Sequence, residues 1–182
     1  GDPLEEKKLI EACLALLDAG LAVGVQDLGA AGLSCAASET AAKAGAGMDV
    51  DVARVPRREP GMSAVEVMTS ESQERMLVIV QPDDLAEVLG LCERWEIDAS
   101  VVGRVTDSRR FRVFDGVFDD PGTGDGDANG DAPPLADVPV DGEFEARRGL
   151  DLVDRDARMH STNPHAVIGG LEVEYAEIGD HA

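Results

Sequence analysis

The chain has 182 residues, 43% of them hydrophobic, which is enough to bury one core but short for two full domains. Thirty-seven acidic residues against sixteen basic ones give a net charge of −21, and Lys7, Lys8 and Lys43 are the only lysines, so the composition argues against a nucleic-acid partner. No apolar run approaches the roughly 20 residues that a membrane span needs, and Cys13, Cys35 and Cys92 form no CxxC pair, which argues against a zinc knuckle or a disulfide framework and for reduced, cytoplasmic thiols.

The first predicted element is a helix, with Asp2 as cap, Pro3 at its first position, Glu5 returning the capping box and Gly20 ending it. Its expected core face is Leu9, Cys13, Leu16 and Leu17. Leu21 to Gln26 reads as a short buried strand ending at Asp27, followed by an alanine-rich helix from Ala30 to Ala44 that closes at Gly45. Met48 to Val52 alternates apolar and acidic residues, the pattern of a strand with one buried face. A short helix over Ala64 to Met68 precedes Met76 to Val80, a run apolar enough for a central strand.

Pro82 and two aspartates then start a helix whose Leu85, Val88, Leu89 and Cys92 fall at i, i+3, i+4 and i+7. Strands over Ala99 to Arg104 and Arg110 to Asp115 complete the series, joined by a Thr106-Asp107-Ser108 turn as a hairpin. Alternating helices and strands predict an α+β fold, a mixed sheet covered by helices, over residues 1–115. Residues 116–141 form an acidic Gly/Asp/Pro-rich loop or linker, and 142–182 an irregular tail holding His160, His165 and His181 with no spacing that requires a metal site. The acidity overall suits a soluble surface in a saline cytoplasm.

Two segments carry the chemistry. In Val25-Gln26-Asp27-Leu28-Gly29-Ala30-Ala31-Gly32 a strand ends in a carboxylate and a Gly/Ala turn enters a helix. Such a corner fits a magnesium–phosphate site, but on this segment alone the favoured reading is an Asp27 that only caps the following helix while the glycines permit a tight turn. In Ser70-Glu71-Ser72-Gln73-Glu74-Arg75 a polar loop leads into a hydrophobic strand, where it can hydrogen-bond a sugar or amide or be an ordinary solvated turn. Between them, Arg54, Arg57 and Arg58 sit beside Glu59 and read as surface ion pairs rather than phosphate ligands.

Taken together, the words GDPLEEKKLIEACL at 1–14, GVQDLGAAGLSCAASETAAKAGAGMDVDVARVPRREPGMSAVEVMTSESQERMLVIV at 24–80 and ERWEIDASVVGRVTD at 93–107 resemble the synthetase (large) subunit of phosphoribosylformylglycinamidine synthase. The likeness covers roughly 1–115, with an echo in LADVPV at 135–140. It implies the first C-terminal-type domain of the aminoimidazole ribonucleotide synthetase-like superfamily. It also implies a role in an ATP-dependent reaction that converts formylglycinamide ribonucleotide and ammonia into the amidine. By that resemblance Asp27 is a ligand of Mg2+, Glu71, Ser72 and Gln73 contact the ribonucleotide, and no catalytic residue falls on this chain.

The partners implied are the remaining domains of the synthetase subunit, a glutaminase subunit and a small accessory subunit. The chain opens Gly1-Asp2-Pro3 without Met, and the family's catalytic histidine and first metal ligands belong to a preceding domain, so an enzyme fragment, inactive alone, is expected. The other readings are a standalone binding or assembly module and a truncated gene product. An isolated copy is expected to expose an apolar patch from 21–26 and 76–80 and to self-associate weakly.

Overall fold

A computed structural model of the chain describes residues 3–57, 59–71, 75–116, 133–140, 166–168 and 171–175. Helix α1 (Pro3–Asp18) carries Glu5 and Glu6 in its first turn, where acidic side chains complement the positive end of the helix. It turns at Gly20, φ 70°, with Leu21 N–H bonded back to the Leu16 carbonyl at 3.0 Å. Its buried stripe is Leu9, Ala12, Cys13 and Leu16. Leu17, expected in that stripe, is 51% exposed, because one residue past Leu16 rotates a side chain about 100° around the axis.

Strand β1 (Gly24–Asp27) leads to α2 (Gly32–Ala44), which ends on left-handed Gly45 as expected. Then come β2 (Gly47–Asp51), α3 (Ala64–Thr69) and β3 (Met76–Val80), with α3 opened by a reciprocal Ser63–Glu66 capping box. A single 3-10 turn at Pro82–Asp84 enters α4 (Leu85–Arg94). Strands β4 (Ala99–Val101), β5 (Gly103–Thr106), β6 (Arg110–Phe114) and β7 (Ala136–Pro139) follow, then β8 (Ala166–Ile168) and β9 (Leu171–Tyr175).

The architecture is α+β, with two mixed sheets rather than one. The first runs β1-β3-β9-β4-β8 and the second β5-β2-β6-β7. Strand β3 joins the two cores. Its Val78 and Val80 pack with Leu9, Leu16, Val88, Leu91 and Cys92 under α1 and α4, while Leu77 and Ile79 pack with Leu33, Ala37, Val50 and Phe111 under α2. Successive side chains of a strand point to opposite faces, and here both faces are covered, which is why Met76–Val80 is apolar throughout. Residues 77–80 are therefore buried, and the apolar patch expected from that strand does not exist. In the 21–26 part of the expected patch Val23 is exposed, and the other exposed large apolar side chains include Ile10, Leu14 and Leu17 of α1.

The expected hairpin between β5 and β6 is also absent. Strand β2 lies between them, antiparallel to β5 and parallel to β6. The turn joining β5 and β6 is braced by Ser108 Oγ, 2.7 Å from Thr106 Oγ1 and accepting from Arg110 N–H at 3.2 Å, with Arg109 left-handed at φ 52°. Gly47, at the start of β2, passes against this turn so closely that a Cβ would overlap the Ser108 and Thr106 hydroxyls.

Every residue of β2 is buried, against the expectation of one solvated face. The reason is charge pairing. Asp49 is fully buried and sits in register with Arg104 of β5 and Arg112 of β6. The Arg112 guanidinium grips both carboxylate oxygens at 2.7 and 3.3 Å, and Arg104 Nε lies 3.8 Å from one of them. Across β7, Asp137 is in register with Arg112 and accepts from Arg110. The row Arg104, Asp49, Arg112, Asp137 alternates in sign over four strands. Asp51 is satisfied by the N–H groups of Ala53 and Gly116 at 2.9 and 2.8 Å.

The tail expected to be irregular contributes β8 and β9 among its described residues. Strand β9 runs parallel to both β3 and β4 and fills the place between them. Leu171-Glu172-Val173-Glu174-Tyr175 alternates apolar and acidic, the period of a strand. The acidic stretch 117–132 and all three histidines lie outside the described residues. All three cysteines are free, and burial pushes the Cys13 and Cys92 thiols up to about 11 and about 12. No helix among the described residues is long and apolar enough to cross a membrane.

Candidate functional site

The two segments singled out in the sequence meet at one end of the first sheet. Because β1 and β3 are antiparallel, the last residue of β1, Asp27, stands opposite the first of β3, Met76. Leu28 N–H continues the pairing onto the Arg75 carbonyl at 3.2 Å. The turn that leaves β1 and the loop that enters β3 are therefore neighbours, although some 40 residues separate them along the chain.

Asp27 is exposed, and its Oδ1 accepts from the Gln26 side-chain amide at 3.3 Å. Helix α2 starts at Gly32, two residues later than the pattern of small residues predicts, and its N-cap residue is left-handed Ala31, with no side-chain bond from its own residue. The carboxylate at the helix start comes from across the site: Ala31 N–H donates to Glu71 Oε1 at 3.2 Å. Of the two readings of Asp27, capping of α2 is not what the geometry holds. An anion at that helix end is favoured by the orphan amides and the helix dipole, and Glu71 fills the role.

Arg75, just before β3, donates from its guanidinium to the Ser70 carbonyl at 2.5 Å. Glu71 is thus held at the rim by the Ala31 amide, next to a Ser70 whose carbonyl Arg75 binds. Ser72 and Gln73 lie outside the described residues. Arg75 and Gly32 were not among the expected site residues; Arg75 bonds the Ser70 carbonyl, and Gly32 packs against the Ser70 backbone.

Cys35, one turn into α2, donates its thiol to Glu39 Oε1 at 3.1 Å. Burial first, and then the Glu39 carboxylate, push it up to about 11, with the Asp27 charge adding in the same direction. A thiol so raised is no nucleophile near neutral pH. Arg57 donates to the Met62 and Val52 carbonyls at 3.3 and 3.4 Å and pairs with Asp115 at 3.7 Å. Its ion pair is real, but the partner is Asp115 rather than Glu59. Arg58 lies outside the described residues.

Among the described residues, no group of three or more His, Cys, Asp and Glu is arranged to hold a metal. One exposed carboxylate, Asp27, is nonetheless a fitting donor for Mg2+. That ion commonly takes one or two protein carboxylates and completes its shell with water and phosphate oxygens. Among the described residues, the corner presents carboxylate oxygens and backbone amides.

The family described as AIR synthase related protein, C-terminal domain, matches residues 1–116. A phosphoribosylformylglycinamidine synthase subunit PurL from Thermomicrobium roseum is 55% identical over 115 residues, covering 63% of this chain and 16% of that protein. The chain therefore spans about a sixth of the length of this relative. Among solved structures, T. maritima PurL complexed with ATP superposes on 88% of this chain with a TM-score of 0.64 and 34% identity, over 23% of its own length. The same protein complexed with FGAR gives a TM-score of 0.64 and 34% identity over 88% of this chain and 22% of its own.

Proposed function

Since the chain belongs to the family of AIR synthase related protein C-terminal domains, we propose that it supplies part of the substrate and magnesium site of a phosphoribosylformylglycinamidine synthase. The reaction would join ammonia, drawn from glutamine, to formylglycinamide ribonucleotide at the expense of ATP. The observation that carries this reading is the meeting of the 27–32 turn with the 70–75 loop at one sheet end, which sets Asp27 and Glu71 on one rim.

In this reading Glu71, Ser72 and Gln73 hold the ribonucleotide. The Ala31 amide fixes one Glu71 oxygen and leaves the other to accept from a ligand hydroxyl or amide N–H. Asp27 holds magnesium, which when bound would neutralise charge on the phosphoryl groups of ATP. Both carboxylates orient and neither transfers a proton. The synthetase subunit's remaining domains, a glutaminase subunit and a small accessory subunit would complete the cytoplasmic enzyme.

Calorimetric titration with formylglycinamide ribonucleotide in the presence of magnesium and a non-hydrolysable ATP analogue tests the assignment. Glu71→Gln should weaken ribonucleotide binding by about tenfold or more, the worth of one charge-assisted hydrogen bond. Equal affinities in the native and Glu71→Gln proteins would sink the role given to Glu71.

A further inference from the structure

The turn and the loop touch at a point with no spare room. Gly32 is left-handed, φ 55°, and a Cβ built on it would overlap the Ser70 carbonyl oxygen and come within 3.2 Å of the Met68 carbonyl oxygen. Both neighbours are backbone, which cannot swing aside as a flexible side chain does. The residue before Gly32 is Ala31, the residue after Ser70 is Glu71, and these two share the 3.2 Å hydrogen bond. The close approach and the hydrogen bond are thus adjacent rungs between the same two segments. At 3.2 Å the bond is already at the long end of its range, so a small outward shift of residues 70–71 breaks it.

From this juxtaposition we propose that Gly32 is a positioning residue: its missing side chain lets the Ser70 backbone close onto the start of α2, and so sets the Glu71 carboxylate on the Ala31 amide in the orientation that receives the ribonucleotide. The inference rests on the substrate reading of Glu71 for its last step only. A side chain at 32 moves Glu71 without removing any group that touches a ligand.

The other end of the same helix provides the control. Gly45 is also left-handed, φ 65°, and a Cβ there meets nothing within 4 Å. Alanine at 32 or at 45 therefore carries similar backbone strain, and only alanine at 32 displaces the loop. Asparagine tolerates the left-handed region better than alanine but still brings a Cβ, so Gly32→Asn isolates the overlap from the strain.

The test reads the Ala31 amide resonance of the full chain against pH, which reports ionisation of Glu71 through their hydrogen bond, and then the ribonucleotide affinity. In the native protein and in Gly45→Ala the Ala31 shift should follow the carboxylate. In Glu71→Gln, Gly32→Ala and Gly32→Asn it should stay flat, with affinity down about tenfold in the two Gly32 variants. A preserved titration in either Gly32 variant, or its loss in Gly45→Ala, overturns the proposal. So does a Gly32→Ala protein that no longer folds, because the glycine would then hold the domain and not one carboxylate. If the titrations follow the expected pattern but the native chain binds no ribonucleotide, the positioning role stands and the substrate reading falls.

Discussion

Asp49→Asn should destabilise the domain by about 3–5 kcal/mol, the penalty for leaving a buried charge without its counter-charge. Asp49 is fully buried and takes both arms of the Arg112 guanidinium, with Arg104, itself 2% exposed, at 3.8 Å on the other side. Asparagine keeps the shape and can accept one bond, but it removes the negative charge that the Arg112 guanidinium grips and that Arg104 faces across β2. A loss of this size is a large share of the 5–15 kcal/mol that typically holds a domain together. It should lower the melting temperature by about 6–20 °C for a chain of this length.

The same reasoning predicts a compensation. Replacing Arg104, Asp49 and Arg112 together by Met, Leu and Met removes the charges along with their desolvation cost, and should be less damaging than the single Asp49→Asn change. Urea denaturation at fixed ionic strength checks both. A change below about 0.5 kcal/mol in Asp49→Asn, the ordinary range for surface substitutions, would mean that the paired row does not hold the second sheet.

The second large effect concerns Asp27, and it should appear in binding without appearing in stability. Asp27 is exposed at the end of β1, with one long hydrogen bond from Gln26, so Asp27→Asn removes a charge and almost no packing. Folding should be unchanged within about 0.5 kcal/mol. Affinity for the magnesium complex of a nucleotide should drop by about a hundredfold, because in the proposed site a neutral amide would replace an anionic ligand of a dication. Titration of magnesium at fixed nucleotide separates the metal from the nucleotide. An Asp27→Asn protein with native magnesium dependence would remove Asp27 from the metal site.

Local pattern made much of the fold legible, and long-range pairing hid the rest. Met76–Val80 and Leu85–Arg94 announce themselves because their apolar spacing matches a strand buried on both faces and a helix with one buried stripe. Gly45 marks the end of α2 by its left-handed conformation. The burial of both faces of β2 has no local signal: Asp49 reads as solvated until Arg104 and Arg112 arrive from strands more than 50 residues away. Likewise nothing between Thr106 and Arg110 says that a third strand parts what looks like a hairpin. For β9 five alternating residues, 171–175, are too short a signal inside a weakly periodic tail that reads as irregular, and nothing local says that the strand runs back to lie between β3 and β4.

The site divides in the same way. Asp27 and Glu71 stand out because each is a carboxylate in a polar or glycine-rich segment at a strand boundary. Their adjacency follows from the antiparallel register that sets Asp27 opposite Met76, and the capping of α2 by Glu71 follows from that adjacency. A reading of either segment alone assigns the cap to Asp27, the residue nearest in sequence, and misses the one nearest in space.

The central claim is that these two segments form one ligand site. Its most direct test is a map of backbone amide shifts in the full chain as formylglycinamide ribonucleotide and magnesium are added. Asp27, Gly29, Ala31 and Glu71 should move together with a common saturation curve, while Arg104, Asp49 and Arg112 stay still. Separate curves for the 27–32 and 70–75 segments, or shifts confined to residues elsewhere, would contradict it.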